Sequence, residues 1–242
     1  MTDWLTAALL EKRSETPTAA TLVFDVDGWP GHRAGQHVDL RLTAEDGYQA
    51  SRSYSIASPP EDGTVALTVE RLEDGEVSPY LVEVMAAGDE LELRGPVGGW
   101  FVWDAADRAP LLLVGGGSGI VPLMSMLRHR AARGSSVPTR LLVSARTIDD
   151  LIYGRELAGL EERADGLEVL ATLTRAAPDG WDGFTRRIDR DMLAQVAWPP
   201  ADAPSTYVCG PTSFVETAAD ALVALGQDEA AIRTERFGPT GT

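Results

Sequence analysis

The sequence predicts two domains, an N-terminal antiparallel β-barrel followed by an α/β domain built on a parallel sheet. Up to about residue 104, short strand-like segments alternate with Gly and Asp turns, the pattern of a small barrel. From Pro110 onward, apolar strands alternate with helical segments, the pattern of a parallel sheet covered on both faces. Between the two, residues 104–110 read as a joint, which places the domains at 1–105 and 106–242.

In the first half the strands fall at 21–26, 37–42, 53–57, 65–69 and 90–94. Asp27-Gly28, Asp46-Gly47, Pro59-Pro60, Asp62-Gly63, Asp74-Gly75 and Ala87-Gly88 punctuate them. One short helix is expected over 77–85, with Ser78 as N-cap and Pro79 in the first helical position. It starts soon after Gly75, so its free N–H groups can face an anion.

The most informative stretch is Arg52-Ser53-Tyr54-Ser55-Ile56-Ala57-Ser58. Arg52 can make a two-pronged, charge-assisted contact with a pyrophosphate, and Tyr54, two places on, faces the same side of a strand. Ser55 carries a hydroxyl donor to the other side. An aromatic plate beside a diphosphate clamp suits a flavin dinucleotide.

In the second half, strands are expected at 111–114, 140–143, 167–173 and 206–209, and helices at 121–132, 151–163, 189–195 and 212–225. Val114-Gly115-Gly116-Gly117-Ser118-Gly119-Ile120-Val121-Pro122 follows an apolar strand and opens a helix. There a parallel sheet binds a dinucleotide, because glycines admit the backbone to the pyrophosphate and the helix N-terminus favours an anion. Pro122 stands where a third glycine would be, and no phosphate-loop Lys is present, which excludes ATP hydrolysis. Gly117, Ser118 and Gly119 are the phosphate-binding candidates.

After the second strand, Ser144-Ala145-Arg146 offers a hydroxyl and a cation where an acidic residue would select NAD. NADP is therefore favoured, with NAD possible. Arg155 either adds a second charge or is a solvated helix residue, and Asp149 and Asp150 cap the following helix. Thr174 and Arg175, just past the third strand, complete the nucleotide set. Cys209-Gly210-Pro211 ends the last strand on the same carboxyl edge. Cys209 is either a small buried apolar residue or part of the nicotinamide pocket; a nucleophilic thiol lacks a nearby His.

Composition bounds the rest. With 242 residues and 44% hydrophobic residues, a full core is available. No apolar run approaches the roughly 20 residues that span a bilayer, and no signal peptide is legible, so a cytoplasmic protein without membrane insertion is expected. One cysteine cannot hold an iron–sulfur cluster, and three scattered histidines do not suggest a metal site, so no metal is expected. A net charge of −16 argues against nucleic acid.

Taken together, the motifs resemble the ferredoxin–NADP reductase-like family of flavoproteins over nearly the whole chain. Arg52, Tyr54 and Ser55 match its Arg-x-Tyr-Ser motif. Val69-Glu70-Arg71 with Gly75-Glu76-Val77-Ser78 is similar to its second FAD segment, and Gly95-Pro96-Val97-Gly98 to its barrel-closing loop. Gly116 to Pro122 resembles its Gly-rich turn, and Cys209-Gly210-Pro211 its Cys-Gly-Pro element. The resemblance implies that Arg52 and Ser78 bind the FAD pyrophosphate, with Ser53, Val69, Arg71, Gly75 and Val77 in the same binding set. It implies that Tyr54 packs on the flavin or its ribityl chain, that Ser55 stands near the flavin N5, and that Cys209 and Glu235 lie at the reacting rings. Glu235-Arg236-Phe237-Gly238 is similar to family tails that return an aromatic residue to the flavin. Plant-type reductases end on a Tyr, whereas residues follow Phe237 here.

The function this implies is an FAD-dependent NADPH oxidoreductase that serves a separate iron–sulfur or haem acceptor. An acidic ferredoxin as acceptor requires a locally basic face. Two alternatives remain at this point: a reductase of free flavin, quinone or another small acceptor, and a flavin-binding regulatory subunit.

Overall fold

A computed structural model describes residues 3–237. The chain divides into two compact units, one formed by residues up to Asp104 together with Met124–Ala132, the other by Ala105–Leu123 and the residues from Arg133 onward.

The first unit is a six-stranded antiparallel sheet in the order β4-β3-β6-β1-β2-β5. Its strands are β1 (Leu5–Ser14), β2 (Ala19–Val26), β3 (His37–Thr43), β4 (Gln49–Ser55), β5 (Val65–Glu70) and β6 (Glu90–Val97). A bridge between Ile56 and Leu67 joins the two ends of that order and closes the barrel. Inside, Leu9, Leu22, Phe24, Leu40, Leu67 and Leu93 are fully buried. β1 was not expected. Its sequence LTAALLEKRS is rich in helix formers, and a register shift between Leu9 and Glu11 breaks the alternation that would reveal a strand.

The expected helix at 77–85 is a single π turn, Tyr80–Val84, in which the Met85 N–H donates to the Tyr80 carbonyl at 2.9 Å. Ser78 does not cap it. Pro79 holds the capping position, and the Ser78 hydroxyl accepts instead from the Leu72 N–H at 3.1 Å, closing the loop before the turn. At the other end, the Lys12 ammonium donates to the carbonyls of Val82 (3.1 Å) and Met85 (2.5 Å), so a cation from β1 satisfies groups that a short turn leaves open.

The second unit carries a five-stranded parallel sheet in the order β11-β10-β7-β8-β9. The strands are β7 (Leu111–Gly116), β8 (Thr139–Ala145), β9 (Leu167–Leu173), β10 (Ser205–Pro211) and β11 (Ile232–Phe237). Helices α1 (Ile120–Ala132), α2 (Gly154–Glu161), α3 (Arg190–Val196) and α4 (Thr212–Ala224) connect or cover them. The order reverses beside β7, whose two neighbours are β10 and β8, and such a switch point opens a crevice at the strand ends. α2 is shorter than expected, because residues Ile148–Asp150 form a separate 3-10 turn and Tyr153 takes a left-handed φ of 64° before the helix starts. α4 opens at Thr212, as expected, with Pro211 in the capping position. The residues expected as a tail, Glu235 to Phe237, are the end of an edge strand; Gly238 lies outside the described residues.

Candidate functional site

In the barrel unit the site is built from side chains on β4. Pairing of Arg52 with Leu40, Tyr54 with Val38 and Ser55 with His37 fixes the strand against β3. Arg52 is exposed, and its guanidinium reaches Glu76 Oε2 at 3.1 Å while donating to the Ser51 carbonyl at 2.8 Å. Glu76 also accepts from the Tyr48 hydroxyl, so one carboxylate holds both the arginine and the tip of the β3–β4 hairpin.

Tyr54 is half-buried against the barrel core, and burial pushes its hydroxyl up to about 12, against the opposing pull of the Arg52 charge. The phenol is therefore neutral at working pH. Ser53 donates to Asp39 Oδ1 at 2.7 Å, and Arg94 reaches the other oxygen of Asp39 at 2.6 Å. Burial alone would raise the Asp39 carboxyl, but the hydrogen bonds from Arg94 and Ser53 outweigh it and hold the group below its ordinary value. Ser55 is half-buried at the end of the strand.

The segment expected to complete the flavin set is held by packing and an ion pair. Val69 and Val77 are each 1% exposed and point into the core. Arg71 pairs with Glu83 at 2.9 Å. Gly75 sits in a cradle that a Cβ would fill, 2.7 Å from Ser78 Oγ and 3.0 Å from the Leu72 carbonyl. Glycine is thus required at position 75 by the packing of its own loop, while Arg52, tied to that loop through Glu76, presents the exposed guanidinium that a phosphate-bearing ligand needs. The residues present fit FAD.

In the second unit the site is mostly backbone. Gly117–Gly119 forms a 3-10 turn between β7 and α1, and Gly117 has a φ of 55°, open to glycine without strain. A Cβ on Gly119 would collide with the Cys209 carbonyl and lie 2.8 Å from Gly210 Cα. A Cβ on Gly116 would lie 2.9 Å from the Phe214 ring. The Gly-rich turn and the Cys209-Gly210-Pro211 element therefore pack backbone against backbone, with Phe214 across both. Sequence reasoning missed Phe214; its signal is an aromatic in the first turn of a helix that follows Cys-Gly-Pro.

Cys209 is 1% exposed, paired with Gly115 on one side and Glu235 on the other. Burial, reinforced by the Glu235 charge, pushes its thiol well above the ordinary value, so it is a neutral thiol and no nucleophile. Phe237 is 38% exposed at the end of β11, opposite Pro211.

At the ends of β8 and β9 two arginines are brought together. The Arg175 N–H donates to the Arg146 carbonyl at 2.9 Å, and both side chains are exposed. Thr174 donates its hydroxyl to the Ala145 carbonyl at 3.2 Å, and Ser144 is half-buried one strand position earlier. Asp150 closes a capping box on Thr147, accepting from its hydroxyl at 2.7 Å and its N–H at 3.1 Å. Asp149 lies in the same short turn, and Arg155 is exposed in the first turn of α2. Among the described residues no cluster of three or more His, Cys, Asp or Glu could hold a metal ion, and no helix is long and apolar enough to cross a membrane.

Comparison with known proteins matches these two regions separately. The oxidoreductase FAD-binding domain family covers residues 6–102, and the oxidoreductase NAD-binding domain family covers residues 113–220. Ferredoxin–NADP reductase B of Sorangium cellulosum is 34% identical over 210 residues, 84% of each chain. The chain belongs to the ferredoxin–NADP reductase-like family of FAD- and NAD-binding oxidoreductases. The glycine betaine monooxygenase reductase subunit of Chromohalobacter salexigens is 35% identical over 212 residues, 86% of this chain and 56% of that protein. The chain thus spans little more than half the length of that relative. Among solved structures, the FAD/NAD-binding domain of a nitric oxide dioxygenase from Vibrio cholerae superposes with a TM-score of 0.87 at 25% identity, covering 97% of this chain and 99% of that one. An Amycolatopsis cytochrome P450 reductase matches with a TM-score of 0.85 at 28% identity, over 99% and 71% of the two chains. A ferredoxin–NADP reductase from Neisseria gonorrhoeae with bound FAD and NADP, 22% identical at a TM-score of 0.82, shares the fold.

Proposed function

We propose that the protein is an FAD-dependent NADPH oxidoreductase that passes electrons to a separate redox protein. The observation that carries this reading is the pairing of two unlike candidate nucleotide sites in one chain: the exposed Arg52 guanidinium beside Tyr54 on β4 in the barrel, and the Gly117–Gly119 turn packed on Cys209 in the parallel sheet. FAD, when bound, supplies the step from two-electron donor to one-electron acceptor. The chain's own work is binding, orientation and shielding. Arg52 holds negative phosphate, Tyr54 offers a neutral aromatic face, and Ser55 presents a hydroxyl at the end of the same strand.

NADPH is favoured over NADH by the chemistry at the ends of β8 and β9. Arg146 and Arg175 stand there exposed and adjacent, suited to an extra phosphate. Of the two carboxylates beyond the end of β8, Asp150 is committed to Thr147. Reductase components of oxygenase systems among the relatives, such as that of a propane 2-monooxygenase from Mycolicibacterium goodii, support a protein acceptor. An anaerobic titration tests the proposal: the FAD-loaded protein is mixed with NADPH, then NADH, while the visible flavin band is followed. Rapid bleaching by NADPH at lower concentration than NADH is the expected result. A protein that takes up no FAD, or whose flavin NADPH leaves oxidised, overturns it.

A further inference from the structure

Charge is unevenly shared between the two halves of the sequence. Residues 1–104 hold 19 Asp and Glu against seven Lys and Arg, whereas residues 105–242 hold 18 against 14. The imbalance is steepest over residues 45–90, which carry eleven carboxylates and two arginines. Both of those arginines are already engaged, Arg52 by Glu76 and Arg71 by Glu83.

The same stretch exposes large apolar side chains. Leu72 is 61% exposed, Val84 63%, Tyr48 59% and Tyr80 38%. They belong to one connected surface. The Tyr48 hydroxyl donates to Glu76, the Leu72 N–H is held by Ser78, and the Arg71–Glu83 ion pair ties the loop to the turn that bears Tyr80 and Val84. Within three residues of Tyr48 and Leu72 in the chain lie the exposed carboxylates Glu45, Asp46, Glu73 and Asp74. Apolar groups inside a charged rim are the anatomy of a protein contact, and a transient electron-transfer encounter needs only a small one.

We propose that this surface is the docking site of the electron acceptor, and that the acceptor is a redox protein with a basic face. The proposal rests on the oxidoreductase reading above. Charge complementarity commits the occupant: a basic partner is steered toward the carboxylate rim, while an acidic ferredoxin meets like charge offset locally only by Lys12, whose ammonium is turned to the Val82 and Met85 carbonyls. The surface adjoins the flavin clamp through Glu76, which is shared by Tyr48 and Arg52.

The test uses FAD-loaded protein reduced by NADPH without oxygen, then mixed in a stopped-flow instrument with cytochrome c as the basic probe or cytochrome b5 as the acidic one. Reduction of cytochrome c should be about tenfold faster at low than at near-physiological ionic strength, with the opposite trend for cytochrome b5. The double variant Glu73→Lys with Asp74→Lys should slow cytochrome c reduction severalfold and flatten its salt dependence. The control Asp25→Lys with Asp27→Lys makes the same change in net charge at two other exposed positions of this unit and should change the rate less than twofold. Equal effects of the two double variants, or faster reduction of cytochrome b5, overturn the docking site while leaving the oxidoreductase reading intact. Flavin that NADPH does not bleach overturns both.

Discussion

The two proposed nucleotide sites are made of different material. In the barrel the proposed site is built of exposed side chains held by partners far along the chain: Arg52 by Glu76, and Ser53 by the half-buried Asp39, which Arg94 holds in turn. In the parallel sheet it is built of backbone, with Gly116 and Gly119 pressed against Phe214 and the Cys209–Gly210 backbone. A site of side chains loses function when an atom is removed, and a site of bare backbone loses it when one is added. The comparison can be broken or sharpened by substitution.

The largest effect is expected from Gly119→Ala. Its methyl would overlap the Cys209 carbonyl, and neither partner is a flexible side chain that can move aside. Overpacking of this kind costs about 1–3 kcal/mol or more, so the melting temperature should fall by roughly 5 °C and flavin bleaching by NADPH should slow more than tenfold. FAD uptake, measured by fluorescence, should be retained. Next in size is Arg52→Ala, which removes a charge-assisted contact worth about 1.5–3 kcal/mol; FAD affinity should drop about tenfold to a hundredfold with little change in melting temperature. Combined replacement of Arg146 and Arg175 by Ala should raise the KM for NADPH about tenfold or more while leaving that for NADH nearly unchanged. Equal changes for both coenzymes would remove the NADPH assignment.

The smallest effect concerns pH. Tyr54 in the barrel and Tyr207 in the sheet are each pushed up to about 12, in both cases chiefly by burial. A raised value means the folded protein keeps the proton longer than the unfolded chain does. The stabilisation is therefore complete below the ordinary phenol value of 10.0 and is lost as pH rises from there through 12. An ultraviolet titration should show phenolate forming late at these two residues. Tyr54→Phe should remove the barrel's share of the alkaline loss in stability and leave that of the sheet.

Much of this was legible in the sequence, for reasons that differ between the halves. The Gly-rich turn after β7 and the Cys-Gly-Pro element announce themselves because backbone packing admits so few residue types. The clamp on β4 was legible as Arg52 and Tyr54, yet its partners were not, since Glu76 and Asp39 look like any solvated carboxylate until folding brings them within 3.1 and 2.7 Å of Arg52 and Ser53. β1 escaped because a bulge and helix-forming residues hide its period, and β11 because four of the six residues of IRTERF are polar, at a sheet edge. Ser78 misled for a local reason: a serine before a proline reads as a cap, but its hydroxyl is taken by Leu72 upstream.

Lys12 is the one lysine in the sequence, and its amine is tucked under the π turn against Val82 and Met85. An acylating reagent therefore meets a single side-chain amine in the whole molecule. That amine is half-buried and its donors are held by two carbonyls, so the rise of one mass-labelled peptide reports how often the turn loosens from β1.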